Sequence, residues 1–255
     1  MPSGQLRRER ILARHLYSLQ CCLSDRSQFL KPLPSRAVCC PRIYNAFNPI
    51  GPEESESVPL KFIEPFKNPW QRQHQRGVYD LLFRASVKEK TGSESTVLVK
   101  VPLDSTYGSD AHVLAASAGF APHLLGKTGV AGAPNIYVME LLSKNDGWFH
   151  LVYFELPTHI TEEQKESLRR RGKELIHFLS SNQLVHGDLR GCNIMCRLDG
   201  NDVHLRVLDW DWAGKQGTAR YPATLNVELL YQGKPGGLID GSHDEYMLEK
   251  TLDAI

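Results

Sequence analysis

Apolar residues follow two different rhythms along this chain. In the first half the rhythm is two. Val97, Val99 and Val101 fall on one side of a VLVKV run, with Leu98 and Lys100 on the other. A β-type run at Val78–Val87 precedes it, and Thr91-Gly92-Ser93 supplies a turn between the two, so a hairpin is predicted. Ile136–Leu142 reads as a further apolar strand. Ser109 reads as the cap of a short helix over Asp110–Ala118, which Gly119 and Pro122 stop. In the second half the rhythm becomes helical. Leu168, Gly172, Leu175, Ile176 and Leu179 share a face behind Thr161-Glu162-Glu163-Gln164, which fits a capping box. Ile194–Leu198 and Val203–Leu208 then read as two strands joined by Asp199-Gly200-Asn201, a strong hairpin turn. The pattern predicts an α+β fold, β-rich first and more helical later.

Residues 1–60 lack either rhythm. Leu6, Ile11, Leu12, Leu16 and Leu19 could share a helical face beside Arg7, Arg8, Arg10 and Arg14. Beyond them Pro32, Pro34, Pro41, Pro49, Pro52 and Pro59 interrupt any regular element, and Glu53–Ser57 reads as a solvated linker. Charge marks the same division. The chain of 255 residues is nearly neutral at +1, yet residues 1–42 carry +6 and the remainder −5. The stretch is therefore expected to be a poorly ordered basic tail. Its scarcity of acids is also the composition of a mitochondrial transit segment. Without a secretory apolar region, an intracellular and cytoplasmic setting is expected, with reduced thiols. Cys21–Cys22 and Cys39–Cys40 do not have zinc-ligand spacing. The 41% hydrophobic and 23% charged content excludes a collagen-like, low-complexity or wholly disordered chain. No run approaches the ~18 apolar residues of a membrane span. Aromatic residues are too sparse in the basic stretch to suggest nucleic-acid binding.

Three polar residues then change the picture. Asp188 and Asn193 lie five apart on a loop that follows a helix. Asp209 ends the second strand of the hairpin that starts at Asn193, so the hairpin returns it to Asn193. Two carboxylates and an amide oxygen would converge at one end of a small sheet. All are hard oxygen donors of the kind Mg²⁺ takes. One acid left off the metal could receive a hydroxyl proton, which is the division of labour that phosphoryl transfer requires.

The stretch His186–Asn193 resembles the HxDxxxxN catalytic loop of the protein-kinase-like superfamily, and Leu208-Asp209-Trp210 resembles its DFG position. The HGDL form, with Gly187 where typical protein kinases have Arg, is similar to aminoglycoside and choline phosphotransferases and to RIO-type atypical kinases. Residues 97–255 further resemble a group of fungal protein-kinase-like proteins. The shared features are the VKV strand, Tyr107-Gly108 with His112, Ala121-Pro122, Val138-Met139-Glu140, HGDLRGCNIM, LDWDWAG and Ala219-Arg220-Tyr221-Pro222.

This resemblance implies a two-lobed protein-kinase-like fold. The expected division is a tail over 1–60, a small β-rich N-lobe over 61–142, and a short or truncated, mostly helical C-lobe over 143–255. It implies Asp188 as catalytic base, with Arg190 steadying the γ-phosphate. Asn193 and Asp209 would hold Mg²⁺, and His186 would be architectural. Lys100 would grip the nucleotide phosphates, with Asp110 as its counter-ion, and Glu140-Leu141 would form the hinge beside the adenine. Asp211 reads as a turn residue or a further acid of the site. Asp244 reads equally as a helix cap or as a brace for the catalytic loop. No GxGxxG precedes Lys100. The function implied is ATP- and Mg²⁺-dependent phosphorylation of a protein Ser/Thr hydroxyl. The alternatives are phosphorylation of a small-molecule hydroxyl and a catalytically inactive scaffold. The partners would be ATP and an unidentified hydroxyl-bearing acceptor.

Overall fold

Six strands make up the first half: β1 (Ala46–Pro49), β2 (Val58–Pro65), β3 (Leu82–Lys88), β4 (Glu94–Lys100), β5 (Leu124–Thr128) and β6 (Ile136–Glu140). The computed structural model describes residues 44–50, 56–66, 82–88, 92–102, 107–129, 134–152, 160–223, 225 and 232–255. The expected helix at 6–19, the paired cysteines before residue 41, the Glu53–Ser55 part of the linker, residues 78–81 and Thr91 lie outside them.

β3 and β4 pair antiparallel from Leu82↔Lys100 to Lys88↔Glu94. That register turns Phe83, Ala85 and Val87 inward with Val97 and Val99. Alternation then puts Leu98 and Lys100 on the opposite face, as the sequence predicts, where Leu98 packs against a second apolar cluster. β6 is buried on both faces. Ile136 and Val138 join the first cluster, and Tyr137 and Met139 join the second.

The strands close into a barrel in the order β1-β2-β3-β4-β6-β5. Closure corrects the sequence expectation, because the closing strand lies within the stretch that the sequence reads as tail. β1 pairs with β2 through Ala46↔Pro59 and with β5 through Asn48↔Lys127. The tail boundary at residue 60 therefore falls inside β2. What holds β1 is Phe47, a buried ring seated where β5 has Gly126. A Cβ on that glycine would stand 2.2 Å from the ring.

Helix α1 (Ser109–Ser117) joins β4 to β5. It starts one residue before the predicted position. Gly108, not Ser109, is its cap, and no side chain bonds there. Gly108 is pinned instead by donating its N–H to the Trp210 carbonyl at 2.9 Å. A Cβ at Gly108 would meet the Ala213 carbonyl oxygen at 2.4 Å.

The second half contains β7 (Phe149–His150), α2 (Glu162–Ser181), β8 (Leu184–Val185), β9 (Ile194–Asp199), β10 (Asp202–Val207), β11 (Gly214–Lys215) and α3 (Gly241–Asp253). α2 begins with the predicted capping box: Gln164 N–H donates to Thr161 Oγ1 and Thr161 N–H to Gln164 Oε1. Gly172 lets α3 approach it, since a Cβ there would stand 3.0 Å from Leu252. β9 and β10 form the predicted hairpin, with Gly200 at φ +59° in its turn. β8 also pairs antiparallel with β11, through Val185↔Gly214 and Leu184↔Lys215. The second apolar cluster runs from Ala111 and Ala115 of α1 through Leu175, Ile194, Leu205 and Trp210 to Met247 of α3. Among the described residues, no helix is long and apolar enough to cross a membrane.

Candidate active site

The loop after β8 is built from its backbone outward. His186 and Gly187 donate their N–H groups to the two carboxylate oxygens of Asp244 at 2.6 and 2.7 Å. Gly187 sits at φ +85°, and a Cβ on it would stand 2.7 Å from Ile239 Cδ1. Glycine is therefore favoured here by conformation, and a larger residue would also have to displace the tip of the Ile239 side chain. Asp244 is 1% exposed and is the brace of this loop; Asp240 is the cap of α3. Burial pushes the Asp244 carboxyl up to about 7, against the pull of the two N–H donors.

The His186 ring is an internal strut. Asp188 N–H donates to Nδ1 at 3.1 Å, so Nε2 carries the proton and donates to the Leu208 carbonyl at 3.0 Å. Burial lowers its pKa, which keeps it neutral. The expected architectural role follows from both bonds.

Asp188 is buried, and Arg190 grips it with two arms, Nε to Oδ1 at 2.5 Å and Nη2 to Oδ2 at 2.8 Å. The sequence expectation aimed Arg190 at a phosphate; the structure aims it at Asp188. The Asn193 amide donates from Nδ2 to the Asp188 carbonyl at 3.0 Å. That bond commits the nitrogen end of the amide and leaves the oxygen end as a donor to a cation.

The hairpin brings Asp209 back as predicted. Val207 pairs with Ile194, and Leu208 N–H donates to the Asn193 carbonyl at 2.7 Å. Asp209 is the next residue and adopts φ +63°, a left-handed conformation that a non-glycine residue takes at a cost. Trp210 follows with 1% exposure, its indole N–H donating to the Val207 carbonyl at 3.0 Å.

Lys100 reaches this group from the barrel. Its ammonium pairs with Asp209, and with Asp211 Oδ1 at 2.8 Å. Burial disfavours its charge, but the two carboxylates outweigh burial and raise its pKa above the usual lysine value. Asp110 lies exposed in the first turn of α1. Among the described residues, the ion pairs of Lys100 go to Asp209 and Asp211, not to the expected Asp110. The side chain of α1 that faces the site is His112. Its Nδ1 accepts from Tyr107 OH at 2.6 Å and its Nε2 donates to the Pro122 carbonyl at 2.8 Å. The His112 ring stacks on Trp210 at 5.7 Å, and His186 meets Trp210 edge-on at 4.8 Å. This column of rings ties α1 to the loop of Asp188.

Glu140 ends β6, with Leu141 half-buried after it. The Glu140 carboxylate accepts from Arg206 Nη1 at 2.5 Å and from His123 N–H at 3.1 Å. Its own N–H donates to the His123 carbonyl at 2.9 Å. The side chain of this expected hinge residue is spent on the scaffold.

The donor chemistry fits Mg²⁺. Asn193 and Asp209 offer hard oxygens, and the remaining positions would fall to water and phosphate. Among the described residues there is no cluster of three or more His, Cys, Asp or Glu that would hold a metal on its own.

No family model matches the chain, and no curated protein matches it. Solved structures do. The kinase PK-1 of Cydia pomonella granulovirus is similar to it at a TM-score of 0.53 and 15% sequence identity, over 77% of this chain and 70% of that one. The likeness shows a protein-kinase-like fold.

Proposed function

We propose that the chain is an ATP- and Mg²⁺-dependent phosphotransferase acting on a protein Ser/Thr hydroxyl. One observation carries the reading: Lys100 from the barrel and Asp209 from the hairpin meet in an ion pair, beside the loop that joins Asp188 to Asn193. A strand lysine, a buried loop acid, an asparagine and a strand-end acid are the set phosphoryl transfer uses. In this reading Asp188 takes the proton of the acceptor hydroxyl as its oxygen bonds the γ-phosphorus. The bond from that phosphorus to the β-phosphate bridge breaks, and ADP leaves. Lys100 binds the nucleotide phosphates. Arg190 holds the Asp188 carboxylate in one orientation. Asn193 and Asp209 would hold Mg²⁺, which offsets phosphate charge.

Transfer of labelled phosphate from ATP, measured for wild type beside Asp188→Ala, tests the reading. Loss of transfer in the variant is expected. Equal rates would remove Asp188 from the role, and no nucleotide binding by either protein would leave the fold as a scaffold.

Gly187 supports a second acceptor class. Its φ of +85° disfavours the Arg that typical protein kinases carry there, and the HGDL form resembles that of aminoglycoside and choline phosphotransferases as well as RIO-type kinases. Label that appears on an added aminoglycoside or amino alcohol, and on no protein, would decide for it.

A further inference from the structure

We infer that Asp211 is the residue that positions Lys100 for the nucleotide phosphates. The inference rests on the phosphotransferase reading and goes beyond it. The Lys100 side chain is only 12% exposed, and an ammonium so shielded needs a carboxylate partner. Asp209 is one partner, but its other task is to face a cation. When it does so, Asp211 at 2.8 Å is the acid that remains on Lys100.

The backbone around Asp211 is held for this purpose. Trp210 before it is buried and bonded through its indole N–H. The Trp210 carbonyl accepts from both Gly108 N–H at 2.9 Å and Ala213 N–H at 3.3 Å. The turn that carries Asp211 is thus fastened to the start of α1. Lys100 also lies over the Tyr107 ring at 5.8 Å, which limits where the ammonium can go. The acid on α1 that the resemblance offered, Asp110, is exposed instead. A carboxylate two residues after Asp209 takes over a task that the helix does not perform.

Asp211 would act through Lys100, so the two substitutions should not add. The test measures ADP affinity by titration calorimetry for wild type, D211N, K100M and the double variant, each with Mg²⁺ and again in EDTA. D211N should weaken ADP by about tenfold, the scale of a charge-assisted hydrogen bond to a shielded ammonium. With Asp209 turned to Mg²⁺ and Asp211 neutralised, the Lys100 ammonium loses its anchor and meets the phosphates less often. The loss should be larger with Mg²⁺ than in EDTA, where Asp209 still pairs with Lys100, and the double variant should bind like K100M. D211E should retain more affinity than D211N, and D211S gives the same contrast should D211N fold poorly. Unchanged ADP affinity in D211N with Mg²⁺, additive losses, or a loss larger in EDTA than with Mg²⁺ would each overturn the inference and leave the phosphotransferase reading standing. A wild type that binds no ADP overturns both.

Discussion

Asp244 Oδ1 accepts the backbone N–H of Gly187 at 2.7 Å across a sequence separation of 57 residues. The same carboxylate takes the His186 N–H, so one side chain of α3 fixes the peptide that aims Asp188. Asp244→Ala would leave two buried N–H groups without acceptors, at a cost of about 2–4 kcal/mol. It should also lower turnover more than a surface change of equal destabilisation, because Asp188 loses its orientation. Urea unfolding and turnover of the same preparation check both.

The pH dependence of this acid has a definite sign. Its folded pKa of about 7 lies above the 3.8 of an ordinary carboxyl. Between those values the folded state keeps a proton that the unfolded chain has released. Its contribution is therefore full below about pH 4 and is lost as pH rises to about 7. Asp244→Asn cannot titrate. The stability of wild type relative to that variant should fall from pH 4 to pH 7 and level off above it. A constant difference across that range would refute the assignment.

The left-handed backbone at Asp209 separates two small substitutions. Asp209→Ala and Asp209→Gly both remove one of the two carboxylate partners of Lys100. Only alanine is also forced to φ +63°, a region where a Cβ is crowded. The glycine variant should be the more stable by about 1 kcal/mol, after allowance for its looser unfolded chain. Both should lose Mg²⁺-dependent nucleotide binding. Chemical denaturation ranks the two, and an alanine variant as stable as the glycine one would show the strain to be absent.

The two-armed contact of Arg190 on Asp188 predicts that lysine will not replace it. An ammonium is a point donor and cannot span both carboxylate oxygens as the guanidinium does. Arg190→Lys should lose nearly as much kcat as Arg190→Ala, about tenfold, with little change in the KM for ATP. Asp188→Asn should lose about 10² to 10⁴. Recovery of full kcat by lysine would mean that Arg190 contributes charge alone.

What was legible in the sequence depended on range. The alternation in β4 placed Lys100 opposite the barrel interior, because side-chain direction along a strand is set locally. The β9–β10 hairpin placed Asp209 beside Asn193, because a tight turn fixes register. β1 was illegible. It is four residues long, ends in Pro49, and is held by Phe47 filling the space left by Gly126, far away in the chain. The partner of Lys100 was illegible for a related reason. Asp110 and Asp211 are the same residue type, and their tertiary placement, Asp110 exposed on α1 and Asp211 beside the ammonium, is not written in local sequence. Asp244 was ambiguous because it lies in the first turn of its helix, where acids serve as caps. The presence of Asp240 four residues earlier was the available signal.

His112 carries the last prediction. It is fully buried, bonded at both ring nitrogens, and stacked on Trp210. Burial pushes its pKa down to about 4, below the usual 6.5. Between those values the unfolded chain binds a proton that the folded protein refuses. Stability from this group is thus full above about pH 6.5 and is lost as pH falls towards 4. His112→Phe keeps the ring stack but leaves Tyr107 OH and the Pro122 carbonyl without their partner, at about 1–3 kcal/mol near neutral pH. Phenylalanine does not titrate, so the gap between variant and wild type should narrow steadily from pH 6.5 to pH 4. Urea unfolding at half-unit pH steps measures that gap. Parallel stability curves would show that His112 is not the group held neutral between α1 and Trp210.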